Sequence, residues 1–112
     1  MGWTAEAQRR AVALVHSGPR EFQLLREDGA EEGARQRGTV QPPEYAGGQW
    51  GATTDLIEFP PFERTMTGAA VTAVAVYDGI VRLATVPIAP VMVQERVQPV
   101  LRPGDMWLGL SE

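Results

Sequence analysis

A nucleophile–base–orienter set needs a base beside an activated side chain, and this chain offers a single imidazole, His16. It falls in the last turn of a predicted helix, where a partly cationic imidazole interacts well with terminal carbonyls. The two serines, Ser17 and Ser111, flank no motif. Carboxylates could serve acid–base chemistry, as in glycoside hydrolysis. Yet Asp78 and Asp105 each adjoin a glycine, and turn chemistry accounts for both. Glu31-Glu32 reads as a solvated charge pair, and Glu58 as the polar face of a strand. An enzyme would require a cluster such as Asp55, Asp105 and His16 meeting in space. There is no calcium-loop spacing and no phosphate-binding glycine loop. With no cysteine, thiolate chemistry is excluded. One histidine excludes a multi-histidine metal cluster, and a carboxylate site for a hard cation has no supporting pattern. The expectation is no catalytic residues, no metal ligands and no cofactor.

The elements that would have to position any site are short. At 112 residues the chain reads as one domain, 1–112. A domain of this size buries roughly two-thirds of its unfolded surface, enough for one core but not for a large internal pocket as well. Gly 12 and Pro 9 exceed typical usage of about 7% and 5% and are spread along the chain, as many short elements joined by turns require. All ten basic residues are Arg, against 14 acidic ones, and the net charge of -4 disfavours non-specific nucleic-acid binding. No apolar stretch approaches the ~20 residues of a membrane span. Glu6 near the start does not fit a standard signal peptide.

Thr4 is a suitable N-cap and Glu6 suits the first turn of a helix over about 4–16. Ala7, Ala11, Leu14 and Val15 form its apolar stripe, and Gly18-Pro19 stops it. A β core spans about 20–110. Strands are expected at Phe22–Leu25 and from near Ala34 to Val40, with Asp28-Gly29 as a turn and 30–33 as a solvated loop. Pro42 and Pro43 belong to a loop or edge, and a strand runs from Thr54 to Phe59. Val71–Tyr77 is a central buried strand, with Val74 and Val76 on one face and Val71, Ala73, Ala75 and Tyr77 on the other. Asp78-Gly79 suits a type I′ turn, from which Ile80–Val86 returns antiparallel. Pro87 and Pro90 bracket a corner. Val91–Val93 and Arg96–Leu101 are extended, Pro103-Gly104-Asp105 is a turn, and Met106–Leu110 is the last strand. The fold class is therefore mainly β: a small β-sandwich or jelly-roll-like domain with an N-terminal helix.

Between Tyr45 and Trp50 large aromatics stand beside Gly47-Gly48. This segment is either a loop closing over the core or a contact surface with aromatic anchors. Trp3, Arg10, Tyr45, Trp50 and Trp107 are the interface candidates, the aromatics because they pack strongly and keep a polar handle.

The order of several short segments resembles that of small tailed-bacteriophage virion proteins of the tail fibre-like or minor structural kind. The segments are Gly33-Ala34-Arg35-Gln36, Ile57-Glu58-Phe59-Pro60, Tyr77-Asp78, and Gly104-Asp105 leading to a closing strand. The first lacks the aromatic of that pattern. Turn chemistry and the resemblance together mark Gly33, Arg35, Asp78, Gly79, Gly104 and Asp105 as turn or structural positions. It implies a virion structural protein, present in repeated copies and contacting capsid, head–tail or tail and fibre proteins, with neither nucleic acid nor membrane as partner. A small carbohydrate- or peptide-binding module, with Tyr45 and Trp50 lining a concave site, is the alternative.

Overall fold

The computed structural model describes residues 3–16 and 18–109. Ser17, Leu110 and Ser111 lie outside them. The helix α1 spans Ala5–His16. Its N-terminus is capped as expected: the Ala7 amide donates to Thr4 Oγ1 at 3.2 Å. Glu6 accepts from Arg9 Nη2 at 2.5 Å and Arg10 Nε at 3.1 Å, and these guanidinium bonds, Arg9 first, lower its pKa from 4.5 to about 2. A depressed carboxyl stabilises above its unfolded pKa and ceases to do so as pH falls through the folded value. Carbon-detected titration should place the Glu6 midpoint near 2 in wild type and near 4.5 when both Arg9 and Arg10 are alanine. An unshifted wild-type midpoint would refute the pairing.

The buried face of α1 differs from the expected stripe. Val12 and His16 are buried, whereas Leu14 is 81% exposed and Val15 is also exposed. Helical residues step by about 100°, so the true face is turned by roughly one residue. Alanines and branched residues surround this helix, and the surface it meets decided which of them went inward. That surface is β4, a strand of Gln49–Ala52, where the Trp50 amide donates to Gln8 Oε1 at 3.2 Å.

The strand β1 (Gly18–Arg26), β2 (Glu31–Val40), β6 (Ala70–Asp78) and β7 (Val81–Met92) form an antiparallel sheet in the order β2-β1-β6-β7. A second sheet joins β3 (Glu44–Ala46), β4 and β9 (Leu108–Gly109), and a small pair joins β5 (Ile57–Glu58) to β8 (Val100–Leu101). The molecule is mainly β, a small sandwich-like domain carrying one helix. Its core lies between the large sheet and the smaller ones, with Phe22, Val74, Val76, Phe59, Met106 and Leu108 almost fully buried.

Several local expectations change. The segment Tyr45–Trp50 is a hairpin, not a loop: Tyr45 pairs with Trp50, and Gly47 and Gly48 both have positive φ, the requirement of a type I′ turn. After β6, Asp78 pairs with Val81, so Gly79 and Ile80 are the two turn residues. Only Gly79 has positive φ (62°), the pattern of type II′ rather than I′. Residues 31–33 belong to β2 rather than to a loop. The predicted strand Thr54–Phe59 shrinks to β5 plus a bridge between Thr54 and Val40. In the tail segment only Val100–Leu101 of the predicted Arg96–Leu101 piece is strand, and Met106 precedes β9.

The expected corner at Pro87 and Pro90 is instead the continuation of β7. This strand is a sheet edge, where a missing amide donor breaks no ladder. Three residues of β7, 88–90, face Thr72 alone, between the pairs Val71 with Val91 and Ala73 with Pro87. On its other side β6 carries Thr72 as an extra residue, since the adjacent Leu25 and Arg26 of β1 pair with Ala73 and Val71; Val71 thereby joins Val74 and Val76 in the main core, while Ala73, Ala75 and Tyr77 pack with Leu25 on the other face. A similar bulge in β2 places residues 33–35 opposite Gln23. The buried Gln23 amide donates to the Glu32 and Gly33 carbonyls at 3.1 and 3.0 Å, so oxygens released from the ladder keep partners.

Candidate functional site

Three surface features gather the residues with polar or aromatic chemistry. The first lies on the outer face of the large sheet. Bound by the β6–β7 pairing, Arg82 stands beside Tyr77, and its Nε and Nη2 donate to Tyr77 Oη at 3.0 and 2.8 Å. Arg35, aimed across the sheet from the β2 bulge, stacks on the same ring at 3.7 Å from its centroid and donates to the Gly79 carbonyl. Cation–π stacking of this kind contributes about 0.5–2 kcal/mol. Arg35 and Gly79 thus hold the hairpin to β2, and Gly33 supplies the bulge from which Arg35 reaches.

The second is a cleft of ≈ 280 Å³ whose lining includes Leu24, Phe59, Phe62, Glu32 and Arg64. Glu32 is only 6% exposed, against the expectation of a solvated pair. Its Oε1 lies 3.5 Å from Arg26 Nε and 3.2 Å from Arg64 Nη2. Arg64 is 32 residues away, so adjacency to Glu31 could not reveal this partner. The arrangement neutralises a buried charge and supplies no free acid–base pair.

The third is a groove of ≈ 510 Å³ between α1, β7 and β9. One side is Ala11, Val15 and His16; the others are residues 83–87 of β7 and 107–109. Both strands are edges of their sheets. His16 is 7% exposed and its Nδ1 has no hydrogen-bond partner among the described residues. Burial, and then the nearby positive charge of Arg20, lower its pKa below 6.5. The expected cationic capping role falls instead to Arg20, which donates to the Val15 carbonyl at 2.7 and 3.1 Å. A buried neutral histidine stabilises fully above its unfolded pKa of 6.5 and loses that contribution as pH falls, because the unfolded chain takes up the proton more readily. Urea denaturation at pH 7.5 and 5.5 should show a decline in wild type that is absent from His16→Gln. Equal declines in the two proteins would remove the assignment.

No family model, curated protein or solved structure matches this chain.

The remaining candidates are dispersed. Trp3 is 61% exposed and Tyr45 54% exposed, while Trp50 is half-buried and meets Tyr45 edge-to-face at 5.6 Å. Neither ring of that pair lines the cleft or the groove. Arg10 is tied to Glu6 on the outside of α1. Trp107 is half-buried on a glycine seat: a Cβ at Gly51 would lie 2.6 Å from its Nε1, and one at Gly109 would lie 2.9 Å away. Its ring therefore serves the second sheet, and the residue also lines the groove. Asp105 accepts from the Arg102 amide within its own turn at 2.8 Å, and the Gly104 amide donates to Thr53 Oγ1. Asp55 accepts from Gln41 and His16 sits in the groove, so Asp55, Asp105 and His16 do not meet in one cluster. Among the described residues no helix is long and apolar enough to cross a membrane.

Proposed function

We propose that this chain is a structural subunit of a tailed-bacteriophage-type particle, docking on copies of itself and on neighbouring capsid, head–tail or tail-fibre proteins. The observation that carries the reading is large apolar side chains held outward on hydrogen-bonded elements. Ile80 is 95% exposed at a hairpin tip, with Val81 beside it at 57%; Leu14 is 81% exposed on α1. A turn position ordinarily favours Gly, Asn, Asp or Ser, and an isoleucine there contributes nothing to the fold of this chain. Buried against a neighbour, such a side chain contributes roughly 1.5–3 kcal/mol. The ordered likeness of the Gly33–Gln36, Ile57–Pro60, Tyr77-Asp78 and Gly104-Asp105 segments to small virion proteins supports the same reading.

The alternative of a small carbohydrate- or peptide-binding module with its site at Tyr45 and Trp50 has less support, because the two rings spend part of their surface on each other. Proteomics of purified particles from the encoding strain should find the chain in multiple copies per particle. Its absence from particles sinks the proposal. Native mass measurement across micromolar concentrations separates the two kinds of contact: a persistent monomer leaves only docking on other proteins.

A further inference from the structure

We infer that the groove between β7 and β9 receives an extended, uncharged polypeptide segment from a partner protein, laid down as an added strand. Its wall on one side is residues 83–87 of β7, consecutive along a sheet edge, and on another residues 107–109. A lining by consecutive strand residues means that backbone, not only alternate side chains, faces the groove. Residues 83–87 make no backbone hydrogen bond outside their pairing with β6 among the described residues. Open edges of this kind are templates for another strand.

The protections that such edges ordinarily carry lie elsewhere in this molecule. On β7, Pro90 and the irregular residues 88–90 are beyond the groove, and Pro87 is at its end. The opposite edge of the sheet, β2, carries Glu31, Arg35 and Arg37 and is bulged. Between them, Leu83–Val86 has neither proline nor charge. Among the described residues no Asp, Glu or Arg lines the groove, so a charged occupant would lose hydration without gaining an opposite charge. His16, more than nine-tenths buried, stands in the wall with an unpartnered Nδ1.

The walls on more than one side also select the occupant. A free extended arm can lie between them, whereas the folded sheet of a second copy has only its edge to offer. Five residues of strand at about 3.3 Å each match the length of the 83–87 wall. The site thus fits a proline-free arm of about five residues with small or apolar side chains.

The probe is an acetylated, amidated hexapeptide of alternating Thr and Val, titrated into the intact chain and followed by amide NMR. Saturable shifts at Leu83–Val86 and Gly109, with the His16 ring resonances moving alongside, are expected. A peptide N-methylated at alternate residues along one edge keeps its side chains but loses its donors there, and should bind at least about tenfold more weakly, the equivalent of one or two hydrogen bonds. No saturable binding at millimolar peptide overturns the inference. So does binding that is indifferent to methylation of either edge, or shifts that map elsewhere. Concentration-dependent shifts of the same amides without peptide would also overturn it, in favour of self-pairing. This assay reads the groove and the particle assay reads the assembly, so either can fail alone.

Discussion

Phe22→Ala should lower the unfolding free energy by about 4 kcal/mol, within the ~3–5 kcal/mol that follows removal of a buried phenylalanine. Phe22 has no exposed surface. It sits on β1, paired with Gln36 of β2 and Val76 of β6, and points into the main core. Its Cε2 also lies 3.1 Å from where a Gly38 Cβ would stand, beside Ile57. The ring therefore touches the large sheet and the layer above it, and neither side can close the void without breaking strand pairing. A domain stability of ~5–15 kcal/mol leaves little margin for such a loss. With a urea dependence of ~1–3 kcal/mol per molar, the denaturation midpoint should fall by roughly 2 M. A change below about 0.5 kcal/mol, the level of an ordinary surface substitution, would place Phe22 outside the core.

The second large effect comes from adding one methyl group. Gly51→Ala should cost about 2–3 kcal/mol, as overpacking in a filled site does. Gly51 is the point on β4 where the chain is approached most closely: a Cβ there would stand 2.5 Å from Trp107 Cζ2 and 2.6 Å from its Nε1. The indole cannot move sideways freely, because it also rests against Gly109, the residue paired with Gly51 across the β4–β9 ladder. The new methyl must push the ring out or separate the strands. In a Trp107→Ala background the obstacle is gone, and alanine has the better strand entropy, so the same substitution should be close to neutral. Denaturation of the four proteins of that cycle, with tryptophan fluorescence of the single variant, checks both parts. Additive losses would mean that the indole is not what excludes a side chain at Gly51.

The two substitutions probe different layers of the same core. The position of Phe22 follows from strand pairing within the large sheet, which brings β1 between β2 and β6. That of Trp107 follows from β9 adding to the far side of β4. The groove opens where these two sheets present edges beside α1, so the second substitution also tests whether the wall at 107–109 keeps its shape.

Much of the fold was legible in local patterns. The run of β-favouring apolar residues through Val71–Tyr77, with a turn after it, specified the β6–β7 hairpin because both strands are contiguous in sequence. Thr4 and Gly18-Pro19 bounded α1 through its own unsatisfied end groups, and the turn at Asp105 closes on its own backbone. Tertiary contacts decided the rest. Which face of α1 is buried depended on β4, more than thirty residues on, and the apolar residues around this helix did not distinguish one face strongly. Prolines 87 and 90 continue a strand only because no neighbour lies beyond that edge. Glu32 lost its solvent through Arg26 and Arg64, and Arg35 found Tyr77 across a bulge whose carbonyls Gln23 satisfies. In each case the sequence determined a chemical capacity, a charge, a ring or a missing donor. Its environment came from chain segments far away in sequence, because burial and hydrogen-bond partners belong to the packed whole and not to the local pattern.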